Sequence, residues 1–191
     1  MSTQRILKCL AVVVVGLALP LSVSAQPPQS PVTEFQNILR KDVGAWNAEV
    51  KLWMNGPDGE PMVSKAVEKN RSIGEIWIIT EFKGDVGGQK FEGHGQYGYN
   101  SRTKKYTGTW IDSMSNEIAI MEGTWNADKK ELTMFRPFTE PDGSKVQTKS
   151  ITSYTDAYNK TWAMYKNNPD GTWLKFMEIT YKRRVKKKKQ E

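Results

Sequence analysis

The densest run of chemically capable side chains in this sequence is GYNSRTKKYTGTWIDSM, residues 98–114, with two tyrosines, an arginine, two lysines, a tryptophan and an aspartate. Such groups can hold anions, stack on flat ligands, or orient and deprotonate a substrate. The one histidine, His94, lies just ahead of the run, and the one cysteine is Cys9. A zinc centre needs three or four His, Cys or carboxylate ligands, so that pair does not suggest one. A Ser-His-Asp triad would have to use His94, and neither a Gly-x-Ser-x-Gly elbow nor a phosphate-binding glycine loop is present. Carboxylates remain: Asp112, Glu122 and Glu178 could pair for hydrolysis, or each could be held by a neighbouring Tyr or Arg, because a buried charge needs a partner.

Backbone pairing decides which of these residues share a face. With SRTK (101–104) as a loop, Asn100 faces Lys105, Tyr99 faces Tyr106, Tyr97 faces Gly108 and Gly95 faces Trp110. One face then reads Phe91, Gly93, Gly95, Tyr97, Tyr99 against Tyr106, Gly108, Trp110, Asp112. A ring opposite a glycine covers bare backbone, a device that stabilises such sheets. The other face carries Glu92, His94, Gln96, Thr107 and Thr109 and suits solvent. Most of the run is therefore architecture. His94 falls on the outer side, and Asp112 is the acid that ends an otherwise aromatic inner face. Tyr97, Tyr99, Tyr106, Trp110 and Asp112 become the candidate ligand-binding residues.

Turn chemistry extends this hairpin to the whole chain. NGPDGEP (55–61), EPDGSK (140–145) and NPDGTW (168–173) each place Pro, Asp and Gly where a turn wants a fixed φ, a side-chain bond to its own backbone and a positive φ. They lack the alternating acids of a calcium loop. Between them lie segments rich in Val, Ile, Thr, Trp and Tyr, at roughly 45–54, 63–71, 74–83, 89–100, 105–113, 116–126, 130–138, 145–154, 160–167 and 172–183. Ahead of them, Thr33-Glu34-Phe35-Gln36 is a capping box for one short helix with Phe35, Ile38 and Leu39 on one side. The expected fold is all-β: a closed antiparallel up-and-down barrel of about 8–10 strands with one short N-terminal helix capping an end.

The termini read differently. Arg5 and Lys8, the apolar run from Cys9 to Leu19 and the Val23-Ser24-Ala25 ending make residues 1–25 a secretory signal peptide. Cleavage there would remove Cys9, and the product would be periplasmic or extracellular. QPPQSP (26–31) is a linker, 32–184 a single barrel domain and 185–191 a basic tail. The net charge is +7, yet residues 26–181 sum to −1, because KRRVKKKK (182–189) and the signal carry the excess. Nucleic-acid binding needs a basic stripe on the folded face, so none is expected. The tail is a solvated run or a weak contact with an anionic envelope surface.

Together with GAW (44–46), PMVSKA (61–66), EGTW (122–125) and MEITYKR (177–183), the run from Phe91 to Met114 resembles the bacterial family known as domain of unknown function 1579, over about residues 33–184. That family usually has Gly-Tyr-Asp where this chain has Gly98-Tyr99-Asn100, and the resemblance implies a single exported or soluble β domain without assigning an activity. More distantly, Gly44-Ala45-Trp46 after a capped helix, with Arg183 at the end of the last strand, resembles calycin barrels such as lipocalins and nitrobindin-like proteins. The resemblance implies that the guanidinium of Arg183 packs on Trp46, pins the first strand to the last and makes Gly44, Trp46 and Arg183 structural. Haem binding of the nitrobindin kind needs an inward histidine, which His94 is not, and no cofactor is expected. Two function classes follow: a barrel that binds a small hydrophobic or aromatic ligand or serves as an envelope scaffold, and a carboxylate-dependent hydrolase of an envelope glycan or lipid.

Overall fold

The computed structural model describes residues 33–185 apart from residues 87 and 141. The expected signal peptide, the linker and tail residues 186–191 lie outside the described residues. A helix, α1 (Glu34–Arg40), precedes ten strands: β1 (Gly44–Leu52), β2 (Met62–Ile73), β3 (Trp77–Val86), β4 (Gln89–Asn100), β5 (Lys105–Asp112), β6 (Ala119–Asn126), β7 (Glu131–Thr139), β8 (Lys145–Tyr154), β9 (Asn159–Asn167) and β10 (Trp173–Arg183). The capping box forms, with the Gln36 side chain accepting the Thr33 N–H at 2.9 Å. Phe35, Ile38 and Leu39 pack against the barrel as one face.

Every strand pairs antiparallel with its chain neighbours, and β1 pairs with β10, so the sheet closes with no free edge. This is the expected up-and-down barrel. The β1–β10 register puts Trp46 directly opposite Arg183, and the guanidinium lies 4.1 Å from the indole centroid. Arg183 also donates to the carbonyls of Lys41, Val43 and Ala157. Gly44 is needed beside it: its φ is 126°, and a Cβ there would lie 2.8 Å from an Arg183 nitrogen.

The β4–β5 hairpin pairs Asn100 with Lys105, Tyr99 with Tyr106, Tyr97 with Gly108 and Gly95 with Trp110, the register read from the sequence. The rings lie flat on the glycine backbone. A Cβ at Gly108 would meet the Tyr97 ring at 2.5 Å, and one at Gly93 would meet the Trp110 ring at 2.1 Å. Trp110 thus leans along the strand and covers Gly93 more closely than its direct partner Gly95, because side chains tilt along the strand direction. His94 is exposed on the outer face opposite Ile111.

The links β1–β2, β3–β4, β5–β6, β7–β8 and β9–β10 gather at one end, here the mouth; α1 and the other links occupy the opposite, closed end. All three PDG sequences are at the mouth. Two behave as expected: Gly143 and Gly171 have φ of 85° and 84°, and Asp142 and Asp170 each accept a backbone N–H two residues on, both at 2.9 Å. In NGPDGEP the left-handed residue is Gly56, with φ 92°, and not Gly59. The Gly59 N–H still closes on the Gly56 carbonyl at 3.2 Å, as Gly143 closes on Glu140 and Gly171 on Asn168, so the Pro57-Asp58 turn forms here too and differs in the conformation of its last glycine.

Arg183 holds three carbonyls from two separate links besides its cation–π contact, so Arg183→Ala should lower the unfolding free energy by about 2–4 kcal/mol. The exposed neighbour substitution Lys182→Ala should stay within about 0.5 kcal/mol. Denaturant titration of the two variants reads the difference directly; equal effects would mean that closure does not depend on Arg183.

Candidate functional site

The barrel is hollow. A cavity of about 420 Å³ runs from the closed end to the mouth. The space follows from residue size: rings laid flat on Gly93, Gly95 and Gly108 lie along one wall, and β8 turns the small side chains of Thr148, Ser150 and Thr152 inward. The walls are otherwise apolar and polarisable, with Phe82, Phe91, Trp110 and Trp162 and five methionines, Met114, Met121, Met134, Met164 and Met177. A wider trough of about 650 Å³ lies on the outer wall, between Glu49, Lys65, Lys83 and Lys182.

A buried ionic cluster forms the cavity floor. The Lys160 side chain is 5% exposed, and its ammonium lies 2.7 Å from Asp42 Oδ1 and 3.0 Å from Glu68 Oε1. The rings of Trp46 and Tyr181 stand 4.8 and 4.6 Å from the same nitrogen. Asp42 Oδ2 accepts the Tyr154 hydroxyl at 3.0 Å. Asn70 donates to Glu68 Oε1 at 2.7 Å and to the Asp42 carbonyl at 3.0 Å, leaving its own buried Oδ1 without a partner among the described residues. Burial pushes the Asp42 carboxyl up, and the Lys160 charge only partly opposes it. Burial works against the Lys160 ammonium, yet Asp42 and Glu68 together outweigh it and hold its pKa above the ordinary 10.5. Tyr97 and Tyr181 are raised above 10.0, first by burial and then by the carboxylate charges beside them.

Sequence reasoning missed this cluster. The readable signal was parity, since Glu68 and Asn70 alternate in phase with buried Ala66. It was faint because the other phase of that strand is also polar.

Of the five candidate ligand residues, Tyr97, Trp110 and Asp112 line the cavity. Tyr99 and Tyr106 face inward but do not reach it, a correction to the sequence reading. Tyr99 stacks on Phe35 at 4.6 Å, and the Tyr106 hydroxyl donates to the Phe35 carbonyl at 3.0 Å, so α1 covers both. Asp112 is held by donors: Trp110 Nε1 at 3.0 Å and the Met114 N–H at 2.9 Å. It fixes the indole against the wall and ties down the start of the β5–β6 link. Glu122 and Glu178 are outside the cavity, paired with Lys105 and Lys175 at 2.8 and 2.7 Å.

Residues 32–183 match the family described as "Protein of unknown function (DUF1579)". No curated protein matches the sequence. Among solved structures the chain is similar to Rv2717c from M. tuberculosis, at 11% identity and a TM-score of 0.58, covering 81% of this chain and 100% of that one. It is similar also to the S-type phycobiliprotein lyase CPES from Guillardia theta, at 10% identity and a TM-score of 0.54, covering 81% and 94%. At such identities the likeness is one of fold.

Removing the ammonium alone would strand two carboxylates, so Lys160→Met should cost about 3–5 kcal/mol in chemical denaturation. Adding Asp42→Asn and Glu68→Gln to it should restore at least half of that loss; a benign single variant would contradict the cluster.

The pH dependence has a definite sign. Tyr97, Tyr181 and Lys160 all keep their protons longer in the folded chain than in the unfolded one. Their contribution is complete below the unfolded values and lost as pH rises toward the folded ones. Melting temperature should thus fall as pH rises above about 10, and the Tyr97→Phe, Tyr181→Phe double variant should flatten the fall. An unchanged slope in that variant would remove the tyrosines as its cause.

Proposed function

This chain belongs to the DUF1579 family, and we propose that it is a binding barrel that takes a small, largely apolar molecule into its interior. The observation that carries this reading is the interior cavity of about 420 Å³ with aromatic and methionine walls and a polar floor. Ligand sites are commonly about 300–1,000 Å³ and mostly apolar with a few placed polar groups. Methionine walls repack around different shapes at little cost. A purely structural role would be better served by a filled interior, since unfilled volume forfeits packing energy.

The hydrolase reading is the weaker one. Each carboxylate that lines the cavity is already engaged: Asp42 by Lys160 and Tyr154, Glu68 by Lys160 and Asn70, Asp112 by Trp110 and the Met114 N–H. General acid–base work would require one of them to be released from two donors. We further place the barrel outside the cytoplasm, on the charged, apolar and small-residue pattern of residues 1–25. The basic run starts at the closed end with Lys182, Arg183 and Arg184, so attachment to an anionic surface there would leave the mouth clear.

Ser150 lines the cavity and makes no side-chain hydrogen bond among the described residues. The neutral fluorophore N-phenyl-naphthylamine should bind the wild-type protein, and Ser150→Trp should weaken it at least about tenfold by filling the space, with no loss of melting temperature. Equal binding by the two proteins would place the probe on the surface and defeat the proposal.

A further inference from the structure

Arg136 on β7 faces inward, in phase with Leu132 and Met134, and lines the cavity. Its guanidinium lies 5.2 Å from the ring of Phe138, the next inward position toward the mouth. No described carboxylate lies within ion-pair distance of it, and its side chain donates no hydrogen bond to a described residue. The other charged groups that line the cavity are matched. Lys160 holds Asp42 and Glu68, and Asp112 is held by Trp110 and the Met114 N–H. Arg136 is therefore the lining charge, among the described residues, whose donors have no protein acceptor.

A guanidinium stays protonated at any working pH and presents five N–H donors in a planar fork. Bordered by apolar and aromatic wall, it is an incomplete ion pair, and a carboxylate supplies the missing half in bidentate geometry. The floor cannot play this part, because its one ammonium already faces two carboxylates and would not attract a third. An anion entering the barrel is thus stopped at Arg136, with the space toward the floor left for its apolar body. Cross-strand from Arg136 is Thr148, whose hydroxyl bonds the Arg136 carbonyl at 3.3 Å and anchors the strand that carries it.

We propose that Arg136 is the specificity-determining residue of the cavity and that the ligand is a singly charged carboxylate with an apolar body. The proposal rests on the binding reading above but is separable from it. Decanoate, decanol and decylamine share one chain and differ in charge, so calorimetric titration at neutral pH isolates the contribution of the head group. Wild-type protein should bind decanoate roughly tenfold to a hundredfold more tightly than decanol, and decylamine more weakly still.

Arg136→Met should bring decanoate down to the affinity of decanol and leave decanol itself unchanged. Arg136→Lys should fall between, keeping the charge but losing the fork. Equal wild-type affinities for acid and alcohol, a preference for the amine, or an Arg136→Met variant that weakens acid and alcohol alike would overturn the assignment. So would the absence of decanoate binding in protein that still binds N-phenyl-naphthylamine. Failure of the neutral fluorophore as well would instead overturn the binding reading on which this one stands.

Discussion

Two cations stand within cation–π distance of one indole. Trp46 has the Arg183 guanidinium 4.1 Å and the Lys160 ammonium 4.8 Å from its ring, and its Nε1 donates to the Asp42 carbonyl at 2.8 Å. The first contact belongs to the seam between first and last strands, and the second belongs to the cavity floor. Seam and floor are therefore one structure: the chain cannot close its sheet without setting the tryptophan that the buried ammonium leans on. Asp42 reinforces the coupling, since it lies in the α1–β1 link and its carboxylate reaches β8 and β9. Each cation–π contact is worth about 0.5–2 kcal/mol, the larger value applying where water is excluded. Trp46 is 1% exposed, which favours the larger value.

The hollow interior has a cost that the architecture offsets elsewhere. Glycine inside a strand weakens it by roughly 0.5–1 kcal/mol relative to alanine, and β4 and β5 place glycine at the inward positions 93, 95 and 108. The loss is covered by Trp110 and Tyr97, whose rings bury that backbone and lie flat along the wall. At the closed end the same hairpin has large residues on both strands, and α1 seals them: Phe35 on Tyr99, with Tyr99 itself 5.1 Å from Tyr106. One hairpin thus serves as plug at one end and cavity wall at the other.

That division explains what the sequence revealed and what it withheld. Alternation assigns a residue to a face, and the face was legible for Tyr97, Tyr99, Tyr106, Trp110 and Asp112 alike. Alternation says nothing about height along the barrel, and height separates Tyr97 and Trp110, which meet the cavity, from Tyr99 and Tyr106, which meet α1. Closure was legible because Gly44, Trp46 and Arg183 carry the resemblance to calycin barrels, which implied a guanidinium packed on the indole between first and last strands. The floor was hidden because its members are far apart in the chain, Lys160 standing 118 residues from Asp42 and 92 from Glu68. They meet only after the sheet has curled. The PDG turns were legible at all three places, and the reading erred only in giving Gly59 the positive φ that Gly56 takes.

The pairing of β1 with β10 also has a bearing on how the chain acquires its shape. Arg183 is bonded to Val43 across 140 residues, so the seam joins the two ends of the barrel sequence. Topologies rich in such distant contacts fold slowly, because the entropy of the long loop is lost before the contact repays it. Until the last strand docks, the growing sheet has two open edges with unpaired N–H and C=O groups. The pairing that makes the finished barrel resistant to edge-to-edge association is thus also the one with the most loop entropy to overcome, and a molecule whose last strand is undocked is the form most able to pair with another copy of itself.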